Sequence, residues 1–405
     1  MSKNRSHIFK PCIIGLGYVG LPLLLNLSKK YKSIGYDKNQ NRILELKKGN
    51  DVFNEVKKND LKLKNIYLTS DTKKISKCNV FIITVPTPID RNKKPDLSHL
   101  KNVCYRLSKV VKPKDIIIFE STVYPGLTEN FCVPRIEKNC LFKNGIDFFV
   151  GYSPERVNPG DKKHNLKNIN KILAYPHFFK RKELINLYSH LGRKIIFSKS
   201  IKEAETAKVI ENIQRDVNIG LINEIYLACE ALNINYKSVF KLASTKWNFL
   251  KFKPGLVGGH CLPVDPYYFT DICKKNNFIT KITLAGRNIN DSMSYNIQKK
   301  IERIIKHKEF HKKNKILLCG LSYKKDVADL RNSLSLNIFK NLKKKFKKLK
   351  GFDPMIDIKT SKKNGMIKPS NNISNFDTFI ILTPHRILMK KIEKLKSKKI
   401  IHFFD

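Results

Sequence analysis

No two cysteines in this chain are spaced as CxxC, and no cysteine–histidine cluster has metal-ligand spacing. The nine cysteines, at positions 12, 78, 104, 132, 140, 229, 261, 273 and 319, are scattered and odd in number. That argues against a zinc module, a paired-thiol redox motif or a secreted disulfide framework. No metal is expected, and a reducing, cytoplasmic setting is. Long apolar runs are also missing, since no segment reaches the roughly 18 uninterrupted residues of a membrane span. Basic residues 2–10 followed by apolar 11–27 imitate a signal peptide. Three regularly spaced glycines interrupt that run, however, and a strand–turn–helix accounts for it better, so no membrane partner is expected. Acidic residues are scarce, 34 against 80 Lys and Arg, for a formal charge of +46. The lysines lie along almost every segment and form no stripe with interleaved aromatics, so a solvated basic surface is expected and no nucleic-acid partner. Such a surface still attracts an anionic small molecule.

What is present fills more than one domain: 405 residues, 41% of them hydrophobic. Short apolar runs at 12–15, 33–36, 80–85, 116–120 and 148–152 read as buried parallel strands, with helices at 21–30, 39–48 and 97–111 between them. Helical patterns follow at 204–232 and 279–307, separated by a Gly/Pro-rich loop at 252–266. After a charged linker at 307–314, strands return at 315–320, 349–353 and 378–382. The expected fold class is α/β, with two Rossmann-like doubly wound α/β domains joined by a mostly helical central domain. Boundaries are placed at 1–200, 201–306 and 307–405.

Gly15-Leu16-Gly17-Tyr18-Val19-Gly20 follows a predicted strand and opens a predicted helix. Gly15 permits the tight turn, Gly17 the approach of a pyrophosphate, and Gly20 close helix–strand packing. Asp37 ends the next strand, where a carboxylate bonds ribose hydroxyls and repels a 2′-phosphate, so NAD is the expected cofactor. Arg42 either flanks the adenosine or is an exposed helix residue. Thr84–Pro88 and Glu120–Gly126 each follow a strand's carboxyl end, and Thr87 and Thr122 offer hydroxyls there unless these are ordinary turns. Lys208 and Asn212 share one face of a predicted helix. They can stabilise an oxyanion, although periodicity alone equally suits a solvated pair. Cys261, in Gly-Gly-His-Cys-Leu-Pro-Val-Asp-Pro, is either a small buried hydrophobe or a covalent nucleophile. With a nicotinamide cofactor, the second reading takes an alcohol through aldehyde and thioester to acid. His260 reads as a loop-positioning residue.

These motifs run in order as GLGYVGLPLLLNL, TVPTP, ESTVYPG, GYSPERVNPGD at 151–161, AKVIENIQRDVNIGLINE at 207–224, TKWNFLKFKPGLVGGHCLPVDPYY at 245–268 and GLSYKKDVADLRNS at 320–333. The series resembles the UDP-glucose/GDP-mannose dehydrogenase family almost end to end. SPERVNPGD, GGHC with VDPYY, and Gln214-Arg215-Asp216 are similar to its branch that oxidises UDP-N-acetylglucosamine or UDP-N-acetylgalactosamine for Vi-antigen, capsule and O-antigen synthesis. UDP-N-acetylglucosamine is favoured, with UDP-N-acetylmannosamine a further alternative.

The resemblance implies that Asp265, Thr122, Lys208 and a water deprotonate the C6 hydroxyl as hydride passes to NAD. Cys261 then traps the aldehyde, a second oxidation leaves a thioester, and Glu155 activates the hydrolytic water while Lys208 and Asn212 hold the oxyanion. It further implies that Arg156, Phe252, Gly255, Gly258 and Lys324, with Glu155, Lys208 and Asn212, contact substrate. Arg331 approaches the cofactor together with Tyr18 and Val19 of the loop, and the protein is a homodimer. The chain departs from relatives in having Pro159 where some carry a second Glu, in Pro263, and in an early end at Asp405. A dehydrogenase without the thiol step and a non-catalytic polyanion binder are the competing readings.

Overall fold

The computed structural model describes residues 9–404 except 54, 57, 63, 158–167, 308–314 and 396–397. Pro159 with the end of the 151–161 motif, residues 308–314 of the expected linker, and Asp405 lie outside the described residues. The chain forms two compact units, Met1–Glu211 with Tyr267–Asn276, and Asn212–Pro266 with Asn277–Asp405.

The first unit is built on an eight-stranded sheet. Its strands are β1 (Pro11–Ile14), β2 (Ser33–Tyr36), β3 (Ile66–Thr69), β4 (Val80–Ile83), β5 (Ile116–Phe119), β6 (Phe149–Tyr152), β7 (Lys171–Ala174) and β8 (Ile195–Ser198). They lie in the order β3-β2-β1-β4-β5-β6-β7-β8, all neighbours parallel except β6 and β7. The strand order reverses between β1 and β4, which creates the crevice at their carboxyl ends where such sheets take ligand. β1, β4, β5 and β6 are buried throughout, which explains their continuous apolar runs. One core gathers Phe81, Phe119, Val150 and Leu107, and a second gathers Ile13, Leu24, Ile82 and Tyr188. Each fully buried side chain of this size contributes about 1.5–3 kcal/mol. β4 and β5 stop at Ile83 and Phe119, short of the expected ends at 85 and 120. Thr84 leaves the strand as a turn residue, its Oγ1 donating to the Gly15 carbonyl at 2.7 Å.

The second unit contains helix Tyr236–Ala243, helix Lys281–Lys306 and most of helix Ile201–Ala231, whose start lies in the first unit. Two of these helices approach closely within the unit, because a Cβ on Gly220 would lie 2.8 Å from the Gly286 carbonyl oxygen. Beside that crossing, the buried Arg287 guanidinium pairs with Asp216. A four-stranded parallel sheet follows, β10-β9-β11-β12, made of β9 (Ile316–Cys319), β10 (Lys350–Phe352), β11 (Thr378–Ile381) and β12 (Lys399–His402). The expected loop 252–266 ends two residues early, since Asp265 and Pro266 already belong to helix Asp265–Lys275. Proline is tolerated in a first turn, where its missing N–H would have no intrahelical acceptor. Among the described residues, no helix is long and apolar enough to cross a membrane.

Candidate active site

In the first unit the glycine loop joins β1 to helix Gly20–Ser28. Gly15 sits at φ +100°, and a Cβ on Gly20 would fall 1.9 Å from the Gly15 carbonyl oxygen, so both positions demand glycine. Gly17 is different, because a Cβ there meets nothing within 4 Å and its backbone faces open space. Val19 and Gly17 give their carbonyls to the first helical turn, accepting from Leu23 and Leu21 at 3.2 Å each. Asp37, just past β2, accepts from the Leu16 N–H at 2.9 Å through Oδ2 and from the Asn39 N–H at 2.9 Å through Oδ1. The acidic group therefore sits against the loop, and the open backbone of Gly17 fits a dinucleotide pyrophosphate.

Arg42 is not an exposed helix residue. It is buried, donates Nε to the Leu16 carbonyl at 2.9 Å and pairs with Asp51 at 2.8 Å. Its guanidinium lies 4.6 Å from the ring centroid of Phe53, which also contacts Tyr18 at 4.7 Å. Arg42 braces the loop from behind.

The turns carrying Thr87 and Thr122 follow β4 and β5, and both threonines are half-buried. The turns are tied together by Ser121 Oγ, which donates to the Val85 carbonyl at 2.7 Å. Tyr268 fixes the first from below, donating to the Pro88 carbonyl at 3.0 Å. Glu205 fixes the second by accepting from the N–H groups of Gly126 at 2.5 Å and Thr128 at 2.9 Å. Burial pushes the Glu205 carboxyl up to about 7 despite those bonds.

Glu155 follows β6. Its Oε1 accepts from the N–H groups of Arg156 at 2.7 Å and Val157 at 2.6 Å, and its Oε2 lies 3.3 Å from Lys171 Nζ. Lys171, wholly buried, also bonds Glu120 at 2.6 Å, and Tyr188 donates to the other Glu120 oxygen at 2.8 Å. Burial raises the Glu120 carboxyl above its ordinary range, an effect Lys171 only partly offsets. Burial acts the same way on Glu155, but Lys171, the Val157 N–H and Lys208 outweigh it and hold that carboxyl low. Glu120, Lys171, Tyr188 and Glu205 were not singled out from the sequence.

Lys208 and Asn212 lie one turn apart on helix Ile201–Ala231, and both are buried. Lys208 makes no hydrogen bond among the described residues. One turn along, Glu211 pairs with Arg156 at 2.8 Å.

In the second unit, Asn212 Nδ2 donates to Asp265 Oδ2 at 2.5 Å. The Cys261 carbonyl accepts from the N–H groups of Val264 at 2.9 Å and Asp265 at 2.8 Å, which sets the thiol just ahead of helix Asp265–Lys275. Cys261 is exposed. Cys12, Cys132 and Cys319, by contrast, are buried, and burial pushes their thiols up, as expected of inert core cysteines. Asn332 clamps the loop, its Nδ2 donating to the Gly259 carbonyl at 3.2 Å and its carbonyl accepting the Gly259 N–H at 3.3 Å. The same carbonyl lies 2.6 Å from where a Gly258 Cβ would sit. His260 reaches Asp329 at 3.3 Å, and Asp329 also pairs with Arg331 at 3.0 Å. Burial would raise the Asp329 carboxyl, but His260 and Arg331 hold it far below its usual range. Upstream, the Asn223 amide exchanges two hydrogen bonds with Gly255, at 2.8 and 3.0 Å, while Phe252 and Lys324 stand half-buried.

The chain matches three consecutive domains of the UDP-glucose/GDP-mannose dehydrogenase family: the NAD binding domain over residues 9–191, the central domain over 202–292 and the UDP binding domain over 317–403. It is 42% identical over 385 residues to a UDP-N-acetyl-D-glucosamine 6-dehydrogenase of Pseudomonas aeruginosa, covering 93% of this chain and 90% of that protein. It is also 42% identical over 386 residues to the protein of that name from Salmonella typhi, with the same coverage. Among solved structures, a UDP-D-ManNAc dehydrogenase from Pyrococcus horikoshii superposes with a TM-score of 0.83 at 26% identity, covering 98% of this chain and 95% of that one.

Proposed function

This chain belongs to the UDP-glucose/GDP-mannose dehydrogenase family and is an NAD-dependent nucleotide-sugar dehydrogenase, and from that premise we propose that it oxidises the C6 hydroxyl of a UDP-N-acetylhexosamine to the uronic acid. UDP-N-acetylglucosamine is the favoured substrate, because the relatives at 42% identity carry that name. The product would feed surface polysaccharide synthesis. NAD, when bound at the Gly15–Gly20 loop with Asp37, supplies the hydride acceptor.

The chain's own residues have the following roles. Lys208, Thr122 and Asp265, with a water, take the proton from the C6 hydroxyl. Cys261 Sγ adds to the resulting aldehyde carbon to give a thiohemiacetal, whose oxidation leaves a thioester. Glu155 takes a proton from the water that attacks the acyl carbon, the carbon–sulfur bond breaks, and the Cys261 thiolate is regenerated. Lys208 and Asn212 stabilise the oxyanion by charge and N–H donation. Arg156, Phe252, Gly255, Gly258 and Lys324 bind the nucleotide sugar, while Thr87, Arg42 and Arg331 serve the cofactor. Of these, Arg42 acts through the loop it braces.

The observation that carries the reading is Cys261. It is exposed, and its carbonyl is tied to the first residue of helix Asp265–Lys275, which holds the thiol on an ordered loop. A nucleophilic thiol needs a reducing compartment, so the enzyme works in the cytoplasm. The domain division 1–200, 201–306 and 307–405 assigns NAD binding, the catalytic loop with dimerisation, and UDP-sugar binding in turn. The proposal includes a homodimer formed on the central region, supported by the exposure of Leu232, Leu242 and Trp247.

The second reading is another epimer at the same site, favoured by the name of the Pyrococcus relative. Purified protein supplied with NAD and a panel of UDP-sugars tests the choice. Highest kcat/KM on UDP-N-acetylglucosamine supports the first reading, and highest on UDP-N-acetylmannosamine or UDP-N-acetylgalactosamine the second.

A further inference from the structure

The wholly buried Lys171 has no place in the mechanism above, yet its ammonium lies between two carboxylates, Glu120 at 2.6 Å and Glu155 at 3.3 Å. A lysine on a buried strand is costly unless it is paired. β7, which carries Lys171, is also the strand that meets β6 in the sheet's one antiparallel pairing, through Tyr152 and Ala174. That reversal sets the start of β7 under the segment that follows β6, where Glu155 stands. The Glu155 oxygens are thereby divided, one held by two backbone N–H groups and the other by the Lys171 ammonium.

We propose that Lys171 is a positioning residue for the hydrolytic half of the reaction, holding the Glu155 carboxylate in place by bridging it to Glu120. This rests on the reading of Glu155 as the base that activates water. Burial alone pushes such a carboxylate toward its protonated form, which cannot accept a proton from water. The groups facing Glu155 are Lys171 from β7, Glu120 from the end of β5, Lys208 from helix Ile201–Ala231 and Tyr188 from helix Arg181–Tyr188. The two cations favour the ionised form of Glu155. Glu120, held by Lys171 and Tyr188, anchors the lysine from its other side.

The sign follows. Glu155 works only when deprotonated, so hydrolysis falls as pH drops through its pKa. Removing the Lys171 charge moves that acid limb to higher pH.

The test follows decay of the covalent enzyme–sugar adduct by intact mass after mixing with UDP-N-acetylglucosamine and NAD, with brief pH jumps spanning about pH 3–9. Glu120→Gln keeps shape and leaves the limb near its wild-type position. The pair Lys171→Met with Glu120→Gln removes both buried charges at once, which avoids stranding either, and shifts the limb up by about one pH unit or more. Lys171→Arg stays near the wild-type limb. A purely structural lysine would change the amount of folded protein and leave the limb in place, and an unmoved limb in the paired variant overturns the proposal. Glu155→Gln separates this from the underlying reading. If it retains the wild-type limb, the base assignment fails. If it abolishes the limb while the paired variant leaves it unmoved, Lys171 has no positioning role.

Discussion

Asn212 and Asp265, 53 residues apart in sequence, meet at 2.5 Å, the amide of one helix donating to the first residue of another. Cys261 is four residues before Asp265 and its carbonyl accepts the Asp265 N–H, so the bond fixes the Cys261 loop to the long helix. Asn212→Ala should lower kcat about a hundredfold or more, the usual cost of losing an oxyanion donor. Steady-state kinetics with unchanged NAD affinity would bear this out.

NAD should be preferred over NADP by a wide margin. The Asp37 carboxylate is fixed against the glycine loop by the N–H groups of Leu16 and Asn39, and it would face the 2′-phosphate. Comparing kcat/KM for the two cofactors checks this, and Asp37→Asn should narrow the gap.

Glu205 gives a stability prediction. Its folded pKa of about 7 lies above the ordinary carboxylate value, so the folded state binds the proton more tightly than the unfolded one. Its contribution is therefore fully present below the unfolded pKa and is lost as pH rises through about 7. The full effect is on the order of 3 kcal/mol. Glu205→Gln should flatten the fall in Tm between pH 5 and 7.5, as read by thermal melts of both proteins across that range.

Helix Ile201–Ala231 carries apolar residues on more than one face. Val209 is buried, Ile213, Val217, Ile225 and Leu227 are partly buried, and Leu221 is 53% exposed. Exposed apolar side chains on the same unit, Leu232, Leu242 and Trp247 among them, need a cover. Light scattering at micromolar concentration should give twice the 47.0 kDa chain mass. Trp247→Glu with Leu242→Glu should shift the population toward the monomer.

The buried central strands were legible because an apolar run such as Ile116–Phe119 has few other uses. β3, β8 and β12 were not, since each is partly exposed and too short for a pattern to stand out. β7 hid for another reason: its first residue is Lys171, a residue type that signals surface until its partners are known. The glycine loop, Asp37 and the Cys261 motif were readable because each chemistry demands particular residue types at fixed spacing. Glu120, Glu205 and Asn332 were not, because their roles depend on partners that folding brings together over 51 to 79 residues of chain, which no local spacing encodes. Helix Asp265–Lys275 was masked by Pro266 in its first turn.

The central claim is a four-electron oxidation through a thioester on Cys261. Counting NADH against uronic acid in a reaction run to completion on UDP-N-acetylglucosamine tests it most directly. The account predicts two NADH for each sugar oxidised, with acid as the only sugar product. One NADH per sugar, with aldehyde released, would contradict it.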